Sequence, residues 1–504
     1  MKNKFYISTA IPYVNARPHI GHALEYVQTD VVARYQRQQG KDVYFLTGTD
    51  ENSLKNVKAA EKAGLPVKEY VDAHYPDFYN FKTALNISFD DFIRTTELRH
   101  FQGAQKLWQT LQPEDIYKKK YQGRYCVGCE AFLTDEELVD GLCPDHKTEP
   151  ELVEEENYFF RLSRYQQPLL DILRSGQIKI IPDFRKNEWL AFIERGLEDI
   201  SISRSVARAH GWGVPVPGDD SQIMYVWVDA LSNYITALDY ENKGDKFVRY
   251  WQQEDQPKRE VVHVIGKGIG KFHVVYWLAF LLSAGVKLPT VEFIHGYVTA
   301  NGEKISKSLG NVIDPYEVVE KYGTDAVRYY LLQAIPAHGD GNYSEEIFQE
   351  LYQAHLVNGV GNLTSRVLTM IEKYSQSEIP ALAPDTLGLE NFWTEYHHWF
   401  AEYNFTEVTK LTNALVTRMD QQISENKPWE KVKQGIDILP WLYQWSEGLR
   451  HLALALLPLL PTTAEKILSG LNLAGQSQGQ TSEWGRLIPG TKINKGEQLF
   501  PRLD

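Results

Sequence analysis

The stretch Phe5–His22, FYISTAIPYVNARPHIGH, decides the fold. It opens with an apolar run from Phe5 to Ile11, passes through a Pro-containing loop, and ends on His19-Ile20-Gly21-His22. From Ile20 to Tyr35 the apolar residues recur at helical spacing, so the order reads as strand, loop, helix, with both histidines at the helix start. Such an end presents backbone N–H groups and a partial positive charge, which suits a phosphate. Gly21 lets a flat base lie against the backbone, and imidazole N–H groups reach phosphate oxygens. A second stretch, Lys304-Ile305-Ser306-Lys307-Ser308, carries two lysines on a loop hinged by Gly302 and Gly310. Two mobile ammonium groups suit the negative charge that develops on a departing pyrophosphate. A satisfied histidine pair and a solvated lysine loop are the bland alternative.

The alternation continues outward from that first unit. Tyr44–Thr47 reads as a strand, Ser53–Gly64 as a helix, Tyr225–Val228 and Val261–Ile265 as strands, Lys271–Ala284 as a helix and Val291–Ile294 as a strand. This pattern predicts an α/β fold built on a doubly wound parallel, Rossmann-type sheet. Residues 1–116 and 221–298 form its two halves. Residues 117–220, short charged and aromatic pieces around the cysteines, read as a connective insertion. The lysine loop and a linking fold occupy 299–350. From 351 to 504 leucine-rich helical runs predict an α-helical bundle, with a Gly-, Gln- and Ser-rich loop at 470–482.

Composition is that of an ordinary globular chain of 504 residues, with 43% hydrophobic and 24% charged residues. A formal charge of −13 excludes a generic basic nucleic-acid binder, though not a local basic face. No segment approaches the roughly 20 apolar residues of a membrane span, and no signal peptide is apparent. The three cysteines all fall between Cys126 and Cys143, which argues for a reducing, cytoplasmic setting. Cys126 and Cys129, then Cys143 and His146, make two pairs with two-residue gaps, separated by residues 130–142. Three thiolates and an imidazole suit one tetrahedral, structural Zn²⁺; reduced buried cysteines are the alternative.

Trp227, Ala230, Leu231 and Tyr234 share one helical face, as do Ile269, His273 and Trp277, while Ala10, Ile11 and Tyr13 sit in the loop before the first motif. Core packing explains such stripes as well as a pocket does. The polar tips of Tyr13 and His273 favour a pocket for a flexible apolar side chain with a weak sulfur acceptor. Asp50, closing Thr47-Gly48-Thr49-Asp50, suits an α-ammonium group; an exposed turn aspartate is the alternative.

The HxGH and lysine motifs together resemble the paired signatures of class I aminoacyl-tRNA synthetases. Ala10-Ile11-Pro12-Tyr13, Gly48-Thr49-Asp50, Ile202-Ser203-Arg204, Tyr225-Val226-Trp227-Val228-Asp229-Ala230 and Gly266-Lys267 resemble successive blocks of the methionyl-tRNA synthetases, over nearly the whole chain. The resemblance implies ATP-dependent activation of L-methionine and its transfer to the 3′ end of elongator and initiator methionine tRNA, with Mg²⁺ accompanying ATP. It implies a methionine site of Ala10, Ile11, Tyr13, Asp50, Arg204, Trp227, Ala230, Leu231, Tyr234, Ile269, His273 and Trp277. His19, His22, Lys304 and Lys307 become the catalytic groups on the phosphates. Gly21, Glu25, Gly266 and Ser306 complete the ATP site. Asn362, Arg366 and Trp429 become anticodon contacts, although alone they read as a polar helix face and a packed tryptophan. Asn52-Ser53 stands where the family commonly has His-Gly, Gly268 where it has aspartate, and Ile305 where it has methionine. A cysteine-specific synthetase scatters its zinc ligands, valine-, isoleucine- and leucine-specific enzymes carry a larger editing insertion, and a silent tRNA-binding relative would not need the histidines and lysines. Some relatives append a dimerisation module; none is found here, so a monomer is expected.

Overall fold

The computed structural model describes residues 2–128, 131–133, 135–144, 147–252, 259–300, 302–304, 311–475 and 481–503. The chain divides into two compact units, one of residues 1–18, 40–82 and 88–295, the other of 19–39, 83–87 and 296–504.

The first unit is built on a six-stranded sheet of β1 (Lys4–Thr9), β2 (Asp42–Thr49), β3 (Asp91–Arg94), β4 (Lys179–Ile181), β5 (Arg259–Gly266) and β6 (Val291–His295). Its order is β3-β2-β1-β5-β6-β4, and every pairing is parallel. Phe5, Tyr6 and Ile7 are all fully buried, as are Val261, Val262, Val264 and Ile265. Burial on both faces is what makes these strands read as continuous apolar runs rather than alternating ones. The order reverses between β1 and β5, so the carboxyl ends of those two strands bound the crevice where such sheets take ligands. The segment expected as an insertion holds an antiparallel pair, Ile116–Cys126 with Glu151–Phe160. It also supplies β4 to the edge of the main sheet, which its local texture does not announce.

Helix α1 spans Ile20–Gln38 and α2 Leu98–Thr110. Tyr225–Val228 is not a strand: α3 spans Val226–Thr236, with Tyr225 as its extended N-cap. Every residue of α3 except Trp227 is buried, including its polar stripe Asp229, Ser232, Asn233 and Thr236; its first turn, led by Tyr225-Val226-Trp227-Val228, is an unbroken apolar run that reads locally as a strand.

The second unit contains α1, α4 (Thr324–Gln333), α5 (Asn362–Tyr374), α6 (Leu389–Ala401), α7 (Phe405–Asn426) and α8 (Leu439–Leu456). It also has a small sheet of β7 (Val298–Ala300), β8 (Glu303–Lys304) and β9 (Gly341–Tyr343). The left-handed φ of +79° at Gly302 makes the tight turn from β7 to β8. At the heart of this unit the fully buried Arg328 of α4 lies 2.8 Å from Asp30 Oδ2 of α1. Its guanidinium also donates to the carbonyls of Leu85 (3.0 Å), Pro458 (2.9 Å) and Leu459 (2.8 Å). Among the described residues no helix is long and apolar enough to cross a membrane.

One core group runs against the rule that buried carboxyls are paired. Glu292, in the middle of β6, is 0% exposed, and neither carboxyl oxygen has a hydrogen-bond partner. Burial pushes its carboxyl well above the ordinary value of 4.5, so the native state holds it neutral. The unfolded chain ionises it from that ordinary value upward. Its contribution to stability is therefore intact in acid and declines as pH rises toward the native value. Glu292→Leu is expected to stabilise the protein at pH 7–8 by about 1–3 kcal/mol. Chemical denaturation at pH 5 and pH 8 checks this: the gain must widen at the higher pH.

Candidate active site

The apolar pocket grows from the carboxyl edge of the first unit's sheet. Leaving β1, the Ala10 N–H donates to the Val264 carbonyl of β5 at 3.1 Å. The next residues run beside the loop leaving β2: Tyr13 and Asp50 form a parallel bridge, and the Asp50 N–H donates to Pro12 O at 2.9 Å. Ala10, Ile11 and Tyr13 are half-buried against the core. Asp50 is only 2% exposed, so the reading of it as a solvated turn residue is wrong.

Across from these loops, α3 contributes buried Ala230, Leu231 and Tyr234 and half-buried Trp227. The Trp227 ring stacks on Phe272 at 3.6 Å between centroids and 5° between planes. Its Nε1 is buried and has no hydrogen-bond acceptor among the described residues. Burial lowers His273 to about 4, so its imidazole is neutral. Nδ1 lies 3.0 Å from the Ile269 carbonyl and Nε2 2.7 Å from the Tyr234 hydroxyl. A carbonyl only accepts, so Nδ1 carries the proton and Nε2 accepts from the tyrosine. Tyr234 and His273 are thereby locked in one orientation. Trp277, expected on the same face as His273, is fully buried beside Tyr234, 6.0 Å between ring centroids, and donates to His263 Nε2 at 3.3 Å.

Arg204 sits on a short strand, Ser203–Ser205, with its guanidinium over Tyr125 at 4.3 Å and Tyr225 at 4.7 Å. Gly266 closes β5, and the turn Lys267–Ile269 follows it. Sequence reasoning missed Phe272, and it missed a buried chain of groups, Asn52, Asp229 and His100, behind Asp50. A second aromatic directly before His273 was the available signal for Phe272; His100 offered none.

In the second unit the histidine motif is an N-cap. His19 Nδ1 accepts from the Gly21 N–H, and His22 Nδ1 accepts from the His19 N–H, each at 3.1 Å. With both Nδ1 atoms accepting, both protons reside on Nε2. The rings lie 4.0 Å apart, tilted by 31°. Burial, reinforced by the neighbouring His19, holds His22 well below its ordinary range. The pair is thus two neutral N–H donors at the positive end of α1, which also carries Glu25. A Cβ on Gly21 would fall 2.9 Å from His19 Cε1, so a side chain here would force the His19 ring out of its capping position.

Segments flanking the lysine motif reach that helix. β8, which includes Lys304, pairs with β7, and β7 packs on α1. Farther along the chain, Ile313 O accepts from the Ile20 N–H at 3.0 Å. Ser306 and Lys307 lie outside the described residues, as do Cys129 and His146. Cys126 and Cys143 are buried, and among the described residues there is no disulfide. Among the described residues no group of three or more His, Cys, Asp or Glu side chains is placed to hold a metal. On the helical part, the Arg366 guanidinium lies 5.5 Å from the Trp429 ring centre and its Nη1 3.2 Å from Asp420 Oδ1. Asn362 lies one turn earlier on α5, exposed, and Trp429 is 38% exposed.

A family model described as tRNA synthetases class I (M) matches residues 5–149 and 145–368. The chain belongs to this family. Two relatives bear the name methionine–tRNA ligase. That of Caldanaerobacter subterraneus is 40% identical over 100% of this chain and 80% of its own length; that of Brucella suis is 40% identical over 99% and 98%. A Mycobacterium tuberculosis methionyl-tRNA synthetase, solved with methionyl-adenylate, superposes with a TM-score of 0.93 at 38% identity over 100% of both chains. In this class I (M) chain the parallel sheet and the helical region are those of the family's solved structures.

Proposed function

We propose that this protein is a methionine–tRNA ligase. It activates L-methionine with ATP and transfers it to the 3′ end of methionine tRNA, releasing AMP and pyrophosphate. One observation carries the reading: two neutral imidazoles capping α1 as Nε2–H donors, with the segment beyond the lysine motif bonded through Ile313 to Ile20. ATP–pyrophosphate exchange with each amino acid in turn tests it. Methionine alone should support exchange; no exchange with methionine would reject it.

The methionine carboxylate attacks the α-phosphorus in line, forming the acyl–phosphate bond as the bond to pyrophosphate breaks. His19 and His22 donate to phosphate oxygens, and Lys304 and Lys307 stabilise the leaving charge. Gly21, Glu25, Gly266 and Ser306 hold the nucleotide. Mg²⁺, bound with ATP, screens the phosphate charge. A ribose hydroxyl of the tRNA, the 2′ one by class I resemblance, then attacks the adenylate carbonyl and releases AMP. No side chain forms a covalent intermediate. Asp50 receives the α-ammonium group. Trp227, Ala230, Leu231, Tyr234, Ile269 and His273 surround the thioether, and Arg204 holds substrate carboxylate and phosphate.

For the tRNA, stacked Arg366 and Trp429 with Asn362 offer base-edge donors and a stacking surface, which suits unpaired anticodon bases. For zinc, the donor set of Cys126, Cys129, Cys143 and His146 is complete for a structural ion. Burial of Cys126 at a strand end and of Cys143 in a tight turn supports the fit; the Lys147 N–H donates to Cys143 O at 2.8 Å. Cys126→Ser should lower bound zinc from roughly one per chain to none; unchanged content by atomic absorption would remove the assignment. The cysteine usage supports a reducing cytoplasmic setting.

A further inference from the structure

Asp229 is 1% exposed and His100 0%, yet neither belongs to the chemistry described so far. They form a chain of polar groups in the first unit. The Asn52 side chain donates through Nδ2 to Asp229 Oδ2 at 2.8 Å and to Thr95 O at 3.0 Å. Asp229 Oδ1 lies 2.5 Å from His100 Nε2, and His100 Nδ1 lies 2.9 Å from Thr236 Oγ1. At the other end, the Asn52 N–H donates to Asp50 Oδ1 at 3.2 Å. The amide orientation is fixed, because both partners of Nδ2 are acceptors.

These bonds join three elements that local packing alone would leave adjustable. Asn52 belongs to the loop carrying Asp50, Asp229 to α3 and His100 to α2. The helices approach closely: a Cβ on Gly103 of α2 would fall 2.5 Å from Thr236 Cγ2 of α3. α3 thus packs closely against α2, and Asp229 links it by a side-chain bond to the Asp50 loop. On α3, Asp229 lies between Trp227 and Tyr234, the aromatic wall of the pocket.

We infer that Asn52, Asp229 and His100 are positioning residues that set the span between the ammonium acceptor Asp50 and the Trp227–Tyr234 wall. That span gauges the length of the bound amino acid. Asn52 divides its donors between two carboxylates, so a displacement of α3 moves the Asp50 oxygens with it. The inference rests on the assignment of Asp50 to the α-ammonium group.

The test compares Asn52→Leu, Asp229→Asn, Asp50→Asn and the exchange N52D/D229N in the full chain. It reads KM and kcat for pyrophosphate exchange with methionine and with ethionine, one carbon longer, together with Tm. Asn52→Leu should raise KM for methionine about tenfold while leaving KM for ATP within about twofold. The preference for methionine over ethionine should fall by a similar factor. In an Asp50→Asn background the same change should add less than about threefold, because the ammonium-binding charge that Asn52 positions is already lost. The exchange, which restores a donor–acceptor pair across the joint, should recover at least half of the lost preference. If Asn52→Leu and Asp229→Asn lower Tm but leave KM and the ethionine ratio unchanged, the relay is merely structural and the inference is overturned. If Asp50→Asn itself leaves KM for methionine unchanged, the ammonium assignment fails first and takes the inference with it. Should Asn52→Leu not fold, the isosteric Asp229→Asn decides by the same ratio.

Discussion

Replacing His22 with alanine is expected to lower methionine-dependent pyrophosphate exchange about 10²–10³-fold, the usual cost of losing one preorganised donor at a developing charge. The reason lies in the cap. His22 Nδ1 is committed to the His19 N–H, which leaves its proton on Nε2 and fixes the ring's direction. Alanine removes that donor and uncaps a backbone N–H of the same motif. KM for methionine should stay within about twofold, since the thioether wall belongs to other residues. The charge state is part of the prediction. His22 titrates well below the ordinary histidine range because burial and His19 both disfavour its cation. Exchange rates should therefore carry no His22 limb between pH 6 and 8, where the ring is neutral throughout. Equal exchange in the alanine variant, or loss of activity that pH 6 restores, would remove His22 from phosphate handling.

The second large effect is expected at Asp50. Asparagine there keeps the shape and can keep accepting from the Asn52 N–H, while the carboxylate charge is lost. Truncating one side of a buried charge pair costs about 2–5 kcal/mol, so methionine should bind roughly 10²-fold or more weakly. KM for ATP should hardly change. Binding of 4-(methylthio)butanoate, which lacks the amino group, should be equally weak in both proteins. Titration of tryptophan fluorescence checks all three, and a variant that binds methionine normally would refute the ammonium role.

How much of this was legible depends on the range of the interaction. The strand–loop–helix of β1 and α1 was, because burial on both faces writes an unbroken apolar run and a histidine cap follows it. The pairing of that cap with the lysine motif came from chemistry rather than spacing: imidazole N–H donors and ammonium groups both suit phosphate oxygens. Helical spacing grouped Trp227, Ala230, Leu231 and Tyr234 on one face, yet the first turn of α3 reads as a strand because Tyr225-Val226-Trp227-Val228 is an unbroken apolar run. Spacing grouped Trp277 with His273, and in the fold it packs beside Tyr234 and bonds to His263. Nothing local marks His100, whose partner lies 129 residues away, and an isolated His in a charged helix start looks solvated. Long-range polar joints are invisible to periodicity because each end is a single residue.

Arg328 bears on how the molecule can be taken apart. The guanidinium that meets Asp30 of α1 is completed by carbonyl oxygens of Pro458 and Leu459, more than four hundred residues farther along the chain. A fragment ending near residue 350 would strand a cation in a dry interior, at a cost of about 3–5 kcal/mol. The ATP-handling portion is therefore no detachable cassette: its minimal autonomous version must include the C-terminal helices, and gene fusions or truncations have to respect that seam.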